Sequence, residues 1–236
     1  MTLTRLGCAG WSISRETAPS FTGSGSHLER YAAVFNAVEI NSSFYRPHQP
    51  QTYARWADSV PADFRFSVKL PRSITHERRL QDIAAPLTQF IAEAGTLGDK
   101  LGCVLVQLPP SLALDAAVAD EFLQRLRGQF DRMLAVEARH PGWFSEDASA
   151  LLQRHRITRV IADPPAGQPG PYVPTTDDGY VRLHGSPRTY YSSYDEAYLA
   201  SVAKWLAERD AWCIFDNTAS GAAMLNALQL RSALGL

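Results

Sequence analysis

The sequence predicts an α/β fold, a single (β/α)₈ barrel of the TIM type that occupies residues 1–236 as one domain. Three observations predict it. Eight short apolar runs are spaced along the chain, and most gaps between them carry a helical pattern of apolar residues. The length of 236 residues is close to the roughly 250 that this fold typically needs. The runs are too short for buried helices and suit parallel strands covered on both faces.

The eight predicted strands each end at a polar or aromatic residue. In chain order they are Leu6–Trp11, Ala37–Asn41, Phe64–Lys69, Leu101–Gln107, Met133–Glu137, Arg159–Asp163, Tyr180–His184 and Trp212–Asp216. The active site of a (β/α)₈ barrel lies at the carboxyl ends of its strands. The residues that end these runs therefore locate the predicted site.

Helices are predicted in six of the seven gaps and after the last strand, where apolar residues recur with helical spacing. They are centred near Tyr31, Arg55, Phe90, Phe122, Leu151, Val202 and Leu225. The gap after the sixth strand differs, because five prolines between Pro164 and Pro174 exclude an ordinary helix. We expect the connection between strands 6 and 7 to be a Pro/Gly-rich loop without a regular helix.

Composition and charge restrict the class of protein. A net charge of −1 and a pI near 6.6 argue against a generally basic nucleic-acid binder, although a local basic patch stays open. No apolar stretch approaches the ~20 residues of a membrane span, and the start of the chain shows no signal peptide. Cys8, Cys103 and Cys213 fall inside predicted strands as buried, reduced residues. We expect a cytoplasmic protein without membrane association or an obligate protein partner.

Segments along the whole chain resemble the YecE-like family, also known as domain of unknown function 72. They are Gly7–Ser12, Val38–Arg46, Phe66–Arg72, Thr75–Glu77, Leu105–Ser111, Val136–His140, Tyr180–Gly185 and Phe215–Thr218. The resemblance implies a closed (β/α)₈-type barrel and implies no reaction, because the family has no established activity. Two positions depart from its pattern: Ser186 replaces an expected arginine, for which Arg188 is a substitute, and Asp216 replaces an expected asparagine.

Four residues near strand ends are candidate catalytic groups: Glu39, Glu137, His184 and Asp216. Glu39 and Glu137 are acids within apolar strands, where an isolated carboxylate is unfavourable unless it has a partner. Two interpretations stay open. The acids are general acid–base groups or metal ligands, or they form ion pairs such as Glu39 with Lys69 or Glu137 with Arg182. Asp216 also fits a residue that caps a loop.

A divalent metal is a further hypothesis. Carboxylates and histidines gather at the predicted strand ends, and barrel enzymes hold metals with this mixture. The residues concerned are Glu39, Glu137, His140, Asp163, His184 and Asp216. Ligands on separate strands obey no short motif, however, and Asp163 before Pro164 equally fits a turn. The sequence therefore leaves the presence and identity of a metal unknown.

The candidate substrate-binding residues combine cations, amides and aromatic rings: Trp11, Asn41, Tyr45, Lys69, Gln107, Arg139, Arg182, Tyr191 and Asn217. The three cations would bind a phosphate. The segment 217–221 precedes the last helix, where barrel enzymes often seat phosphate on backbone N–H groups; N-capping by Thr218 or Ser220 is the alternative. The rings suit stacking on a base or sugar, or packing as a lid.

These residues favour an enzyme that acts on a phosphate-bearing substrate, a nucleotide or a nucleic acid, by acid–base or metal-assisted hydrolysis. A non-catalytic module that binds nucleic acid or a metabolite is the first alternative. A carbohydrate-active enzyme is the second, because two acids with flanking aromatic rings fit it. Barrels host many chemistries, so the fold does not choose between them.

Overall fold

Residues 2–236, which the computed structural model describes, form nine parallel β-strands and seven α-helices in an α/β arrangement. The strands are β1 (Thr4–Cys8), β2 (Ala37–Ile40), β3 (Arg65–Lys69), β4 (Leu101–Gln107), β5 (Met133–Glu137), β6 (Thr158–Arg159), β7 (Ile161–Asp163), β8 (Gly179–Leu183) and β9 (Ala211–Phe215). The helices are α1 (His27–Ala32), α2 (Pro50–Asp58), α3 (Ala84–Ala94), α4 (Ala116–Arg127), α5 (Glu146–Arg154), α6 (Glu196–Leu206) and α7 (Ala222–Ala233). The seven predicted helices are thereby confirmed.

The strands belong to two sheets. One has the order β1-β9-β8-β7 and the other β2-β3-β4-β5-β6. The predicted sixth strand is wrong in one respect: Val160 divides it into β6 and β7, which lie in different sheets. The Val160 N–H donates to Val136 in one sheet, whereas Ile161 pairs with Val181 in the other.

Side chains of the Pro/Gly-rich loop occupy the free edge of β6. The Arg159 N–H donates to Thr175 Oγ1 at 2.8 Å, and the Tyr172 hydroxyl donates to the Arg159 carbonyl, also at 2.8 Å. Residues 164–178, all of them described, contain no helix, as the prolines predict. The loop thus supplies the hydrogen bonds that a neighbouring strand would give, which explains why the ladder breaks here.

A tyrosine hydroxyl joins the other two sheet edges. Tyr31 Oη accepts a hydrogen bond from the Cys8 N–H at 2.8 Å and donates to the Ala37 carbonyl at 2.9 Å. Gly7 has no Cβ at this point, and one would lie 2.0 Å from the Ala37 carbonyl oxygen and 2.7 Å from Tyr31 Oη. Directly above, Ala9 and Glu39 form a parallel bridge.

Side chains on the inner face of the strands form two layers: an apolar layer, and a polar layer nearer the carboxyl ends of the strands. Tyr180, Trp212, Leu105 and Ala135 belong to a buried apolar cluster. Two residues further along three of these strands, on the same face, come Arg182, Gln107 and Glu137. On β9 the corresponding residue, Ile214, still belongs to the apolar cluster. The period of two therefore brings the strand-end polar groups together above a dry base.

Two further expectations concern cysteines and membranes. Cys8, Cys103 and Cys213 are buried free thiols, and burial raises the pKa of each. Within residues 2–236 we find no helix that combines the length and the apolar character needed to cross a bilayer. The cytoplasmic location stays a prediction.

Candidate functional site

Arg182 is the centre of the polar layer, and its guanidinium group binds three carboxylates. Nη2 and Nε donate to the two oxygens of Glu39 at 2.6 and 3.0 Å. Nη2 also donates to Asp216 Oδ2 at 3.0 Å, and Nη1 donates to Glu137 Oε2. Burial alone would lower the pKa of Arg182, but the charges of these carboxylates raise it well above its ordinary value. We call Arg182 and its three carboxylates the Arg182 cluster.

Two residues beneath the cluster fix Glu39. The Tyr180 hydroxyl lies 2.9 Å from Glu39 Oε2 and 2.7 Å from Ser67 Oγ, within hydrogen-bonding distance of both. Burial and the charge of Glu39 raise the pKa of Tyr180 well above its ordinary value, so the phenol stays protonated. Glu39 has no exposed surface, and both of its oxygens are bonded. This geometry is that of a buried ion pair, one of the two interpretations left open by the sequence. The partner of Glu39 is Arg182, so the suggested pair with Lys69 is wrong.

Glu137, at the end of β5, is shared between two arginines. Its Oε1 accepts hydrogen bonds from Arg139 Nε at 2.9 Å and Nη2 at 2.7 Å, while Oε2 faces Arg182. Burial would raise the pKa of Glu137, but Arg182, His184 and Arg139 together hold it well below its ordinary value. Glu137 is therefore an anion that orients two cations, and the ion pair with Arg182 anticipated as an alternative is present.

His184 follows β8 and lies between two carboxylates. Its Nδ1 is 3.0 Å from Asp216 Oδ2, and its Nε2 is 3.4 Å from Glu137 Oε1. Burial alone would lower the pKa of His184, but the charge of Glu137 and the contact with Asp216 raise it. Arg182 and His184 in turn lower the pKa of Asp216, against the effect of burial. The two carboxylates therefore favour the imidazolium form to a higher pH than in an unperturbed histidine.

The stability that His184 contributes is expected to be greatest between about pH 4.5 and 6.5. With a raised pKa, its contribution is complete below the unfolded value near 6.5 and disappears as pH rises through the folded pKa. The carboxylates have lowered pKa values, so their contribution is present above about pH 4.5 and disappears as pH falls through their folded values. Urea unfolding of the wild type and His184→Gln is measured from pH 3 to 8.5. The difference between their free energies of unfolding, which we call the gap, should be largest in that window. A gap independent of pH would contradict this assignment.

Lys69 ends β3 beside the Arg182 cluster but does not join it. Its Nζ lies 4.1 Å from the centroid of the Phe44 ring. Burial and the charge of Arg182 lower the pKa of Lys69 to about 8, although nearby carboxylates act in the opposite direction. Lys69 is therefore a buried amine that is partly unprotonated near neutral pH.

The structure places three other predicted residues near the same opening. Asn41 Nδ2 donates to Asp216 Oδ1 at 3.3 Å, while Asn41 Oδ1 is buried without a partner in the described structure. Gln107 is buried at the end of β4, paired in register with Glu137. Trp11 is partly buried and packs edge-on against Trp56, with ring centroids 5.1 Å apart. The first two line the polar layer, and Trp11 packs at its rim.

Three predicted substrate-binding residues are not part of the polar layer. Asn217 is buried, and its Nδ2 donates to Ser192 and Asn226, so it anchors a loop. Tyr191 is exposed beneath Arg188, with 4.0 Å from the guanidinium carbon to the ring centroid. Tyr45 is 71% exposed and contacts the edge of Phe44. Alternation directs Asn217 away from the side of Asp216, which agrees with its place outside the polar layer.

The phosphate seat predicted at residues 217–221 receives little support. The Ala219 N–H donates to the Tyr190 carbonyl, and Ser220 Oγ donates to the Tyr191 carbonyl. Gly221 is the N-cap of α7 and no side chain caps it, so capping by Thr218 or Ser220 is also wrong. The segment holds the loop that carries Tyr190 and Tyr191.

The residues present do not fit a metal. Among residues 2–236 we find no group of three histidine, cysteine or acidic side chains arranged to hold an ion. The carboxylates converge on Arg182, which occupies the position that a cation would take. Of the other suggested ligands, His140 Nδ1 accepts the Gly142 N–H, and Asp163 accepts from the Tyr194 hydroxyl.

Two residues of the site, Ser67 and Tyr180, were not foreseen. Ser67 and Tyr180 lie two positions before Lys69 and Arg182, and the strand period alone would have placed them beneath these residues. Tyr190 adopts a positive φ of 70° and stands with its ring 5.8 Å from that of His184. Its hydroxyl is among the groups that raise the pKa of Arg139. A loop conformation of this kind leaves no sequence signal.

Comparison with known families assigns this chain. The family model described as "Protein of unknown function DUF72" matches residues 5–236. The chain belongs to the DUF72 family. It is 33% identical to UPF0759 protein YecE of Escherichia coli K12 over 164 residues, which cover 67% of this chain and 58% of YecE. The DUF72 chain is also 26% identical to UPF0759 protein YunF of Bacillus subtilis, with 98% and 94% of the two chains covered.

The DUF72 fold is shared by solved relatives. A DUF72 family protein of Thermotoga maritima is 27% identical, with a TM-score of 0.81 over 99% of this chain and 100% of that chain. The matched segment spans just over half of YecE, whereas the Thermotoga protein matches from end to end. The resemblance to the YecE-like family is thereby confirmed, and it indicates no particular reaction.

Proposed function

We propose that the two sheets close into one eight-stranded barrel whose mouth is the active site. Arg182, in the sheet of β8, binds Glu39 and Glu137, which both belong to the other sheet. Tyr31 bridges the sheets at one seam, and a single residue, Val160, separates β6 from β7 at the other. In this interpretation β6 and β7 are one strand that changes partners.

The DUF72 chain is in our proposal an enzyme that performs acid–base chemistry on a small substrate with an anionic group such as phosphate. The observation that carries it is His184, a buried imidazole between Glu137 and Asp216 whose pKa is raised. A histidine held protonated next to an opening is suited to donate a proton to a bound substrate. Asp216 would orient the ring, and Glu137 would hold Arg139 beside it.

The charges near the mouth favour an anionic ligand. Arg139, Arg182 and His184 lie among the three carboxylates, and Lys69 supplies a further positive charge whenever it is protonated. Arg139 binds Glu137 through Nε and Nη2, so Nη1 stays available for a phosphate oxygen. Its side chain is 21% exposed. Lys69 would contact the substrate from the end of β3, which β4 separates from β5.

Arg139→Gln is expected to weaken the binding of inorganic phosphate by roughly tenfold, because one charge-assisted hydrogen bond is lost. Binding is measured by NMR titration at constant ionic strength. The control is Arg125→Gln, since Arg125 forms an exposed pair with Glu121 on α4 and should leave phosphate affinity unchanged. Equal affinities for all three proteins, or no shifts near Arg139, would count against the anion site.

Catalysis is tested separately by following phosphorylated sugars, nucleotides and short oligonucleotides with ³¹P and ¹H NMR. Turnover by the wild type that His184→Gln loses would support the enzyme. Tight binding that both proteins share, with turnover by neither, would favour a non-catalytic module. The exposed rings of Tyr45 and Tyr191 favour that second function, because nucleic-acid bases stack on such rings. Hydrolysis of a phosphate ester stays a prediction.

A further inference from the structure

Lys69 lies beside four charged groups, yet its own ammonium group has no partner. Within residues 2–236 its Nζ makes no hydrogen bond or ion pair, because Arg182 binds Glu39, Glu137 and Asp216. The ammonium group instead lies over the face of the Phe44 ring. A ring face offsets only part of the hydration that a buried ammonium loses. The position therefore makes the loss of the proton easier than at an exposed lysine.

The amine can still be reached from the mouth. Lys69 is 5% exposed. Within the described residues, three fully buried polar side-chain atoms lack a hydrogen-bond partner: Asn41 Oδ1, Arg159 Nε and Asn217 Oδ1. Lys69 Nζ also lacks a partner, but it is not among these fully buried atoms. Nζ consequently keeps a small contact with solvent at the end of β3. A substrate at the mouth would meet its lone pair.

The charged neighbours set the protonation of Lys69. Burial and Arg182 lower its pKa to about 8, and carboxylates from three different strands limit the decrease. The groups that act on it are Arg182 on β8, Glu39 on β2, Glu137 on β5 and Asp216 after β9. Lys69 also faces His76 in the segment 73–77, whose pKa it lowers. An ordinary lysine has a pKa of about 10.4, so near pH 7 the neutral fraction of Lys69 is larger on the order of a hundredfold.

We propose that Lys69 is a nucleophile that forms a Schiff base with the carbonyl group of an anionic aldehyde or ketone. This inference deepens the proposed function and rests on it, because Arg139 would hold the anion of the same substrate. Buried lysines with a free lone pair are the residues that perform this chemistry in enzymes.

The reaction is balanced without an oxidant or reductant. The Nζ lone pair attacks the carbonyl carbon, and the π electrons of the C=O bond move to oxygen, which takes a proton while the nitrogen releases one. The hydroxyl of the resulting carbinolamine takes a second proton and leaves as water, while the nitrogen lone pair forms the C=N bond of the protonated imine. His184, whose pKa is raised in the same layer, is the group suited to supply a proton.

The composition of the chain makes the test direct, since it contains three lysines: Lys69, Lys100 and Lys204. Lys100 Nζ donates to the carbonyls of Ala57 and Val60 at 2.6 Å each. Lys204 is exposed on α6. Lys204 therefore serves as the reference for an ordinary lysine within the same molecule.

Wild-type protein is incubated with glycolaldehyde phosphate and cyanoborohydride, which reduces an imine to a stable secondary amine, and the labelled peptides are quantified by mass spectrometry. At pH 7.5 we expect Lys69 to be labelled at least about tenfold faster than Lys204. The ratio should fall as pH rises from 8 to 10, because Lys69 is mostly neutral above its pKa of about 8, whereas an ordinary lysine amine with a pKa of about 10.4 still loses protons over that range. Lys69→Arg should lose this label and retain that of Lys204.

Uncharged glycolaldehyde separates this inference from the proposed function. Faster labelling of Lys69 by the phosphate than by glycolaldehyde, with the preference lost in Arg139→Gln, supports both. Equal labelling by the two aldehydes supports the Schiff base and counts against the anion site. Labelling of Lys69 no faster than Lys204 with either aldehyde overturns the inference, while phosphate titration still decides the anion site independently.

Discussion

Replacement of Arg182 with methionine is expected to destabilise the fold by at least about 3–5 kcal/mol at pH 7. The guanidinium group has no exposed surface and is the shared partner of Glu39, Glu137 and Asp216. Methionine fills much of the volume but leaves three buried carboxylates, each of which has lost a charged partner. The loss is measured by urea unfolding monitored by circular dichroism.

Two comparisons make this expectation specific. Arg125→Met removes an arginine whose ion pair with Glu121 is exposed, so it should change stability by no more than about 1 kcal/mol. The deficit of Arg182→Met should also shrink as pH falls from 7 to 4. The stranded carboxylates take up protons more readily than in the wild type, where Arg182 holds the pKa of Glu137 and Asp216 down. A deficit below about 1 kcal/mol would show that Arg182 is dispensable for the fold.

The sequence predicted the elements of this protein well because strand period and proline chemistry are local properties. Polar residues at the ends of apolar runs correctly indicated the layer that contains Lys69, Gln107, Glu137 and Asp216. The prolines after Asp163 correctly excluded a helix. In each case the property belongs to a few consecutive residues, so it can be read without knowing which strands are neighbours.

The pairings within the site could not be predicted in the same way. Glu39 lies opposite Ser67 in the register of β2 and β3, so Lys69 is two residues too far along its strand to be the direct partner. Arg182 instead reaches Glu39 across the interior from the other sheet. The relative stagger of distant strands determines this contact, and no spacing along the chain records it. The division of the sixth strand at Val160 has the same origin.

Tyr31→Phe is expected to lower the free energy of unfolding by about 2–4 kcal/mol, because its hydroxyl hydrogen-bonds a buried backbone group in each sheet. Its removal strands the Cys8 N–H and the Ala37 carbonyl at a seam where the structure gives them no strand-to-strand bond. Each unpaired buried group costs about 1–3 kcal/mol. Tyr53→Phe is the matched control, since Tyr53 is equally buried and its hydroxyl makes no hydrogen bond within residues 2–236. Unfolding experiments on both variants measure the difference. If both substitutions lower the free energy of unfolding equally, the Tyr31 hydroxyl is not what joins β1 to β2. If only Tyr31→Phe lowers it, the hydroxyl itself holds β1 against β2 and keeps Glu39 within reach of Arg182.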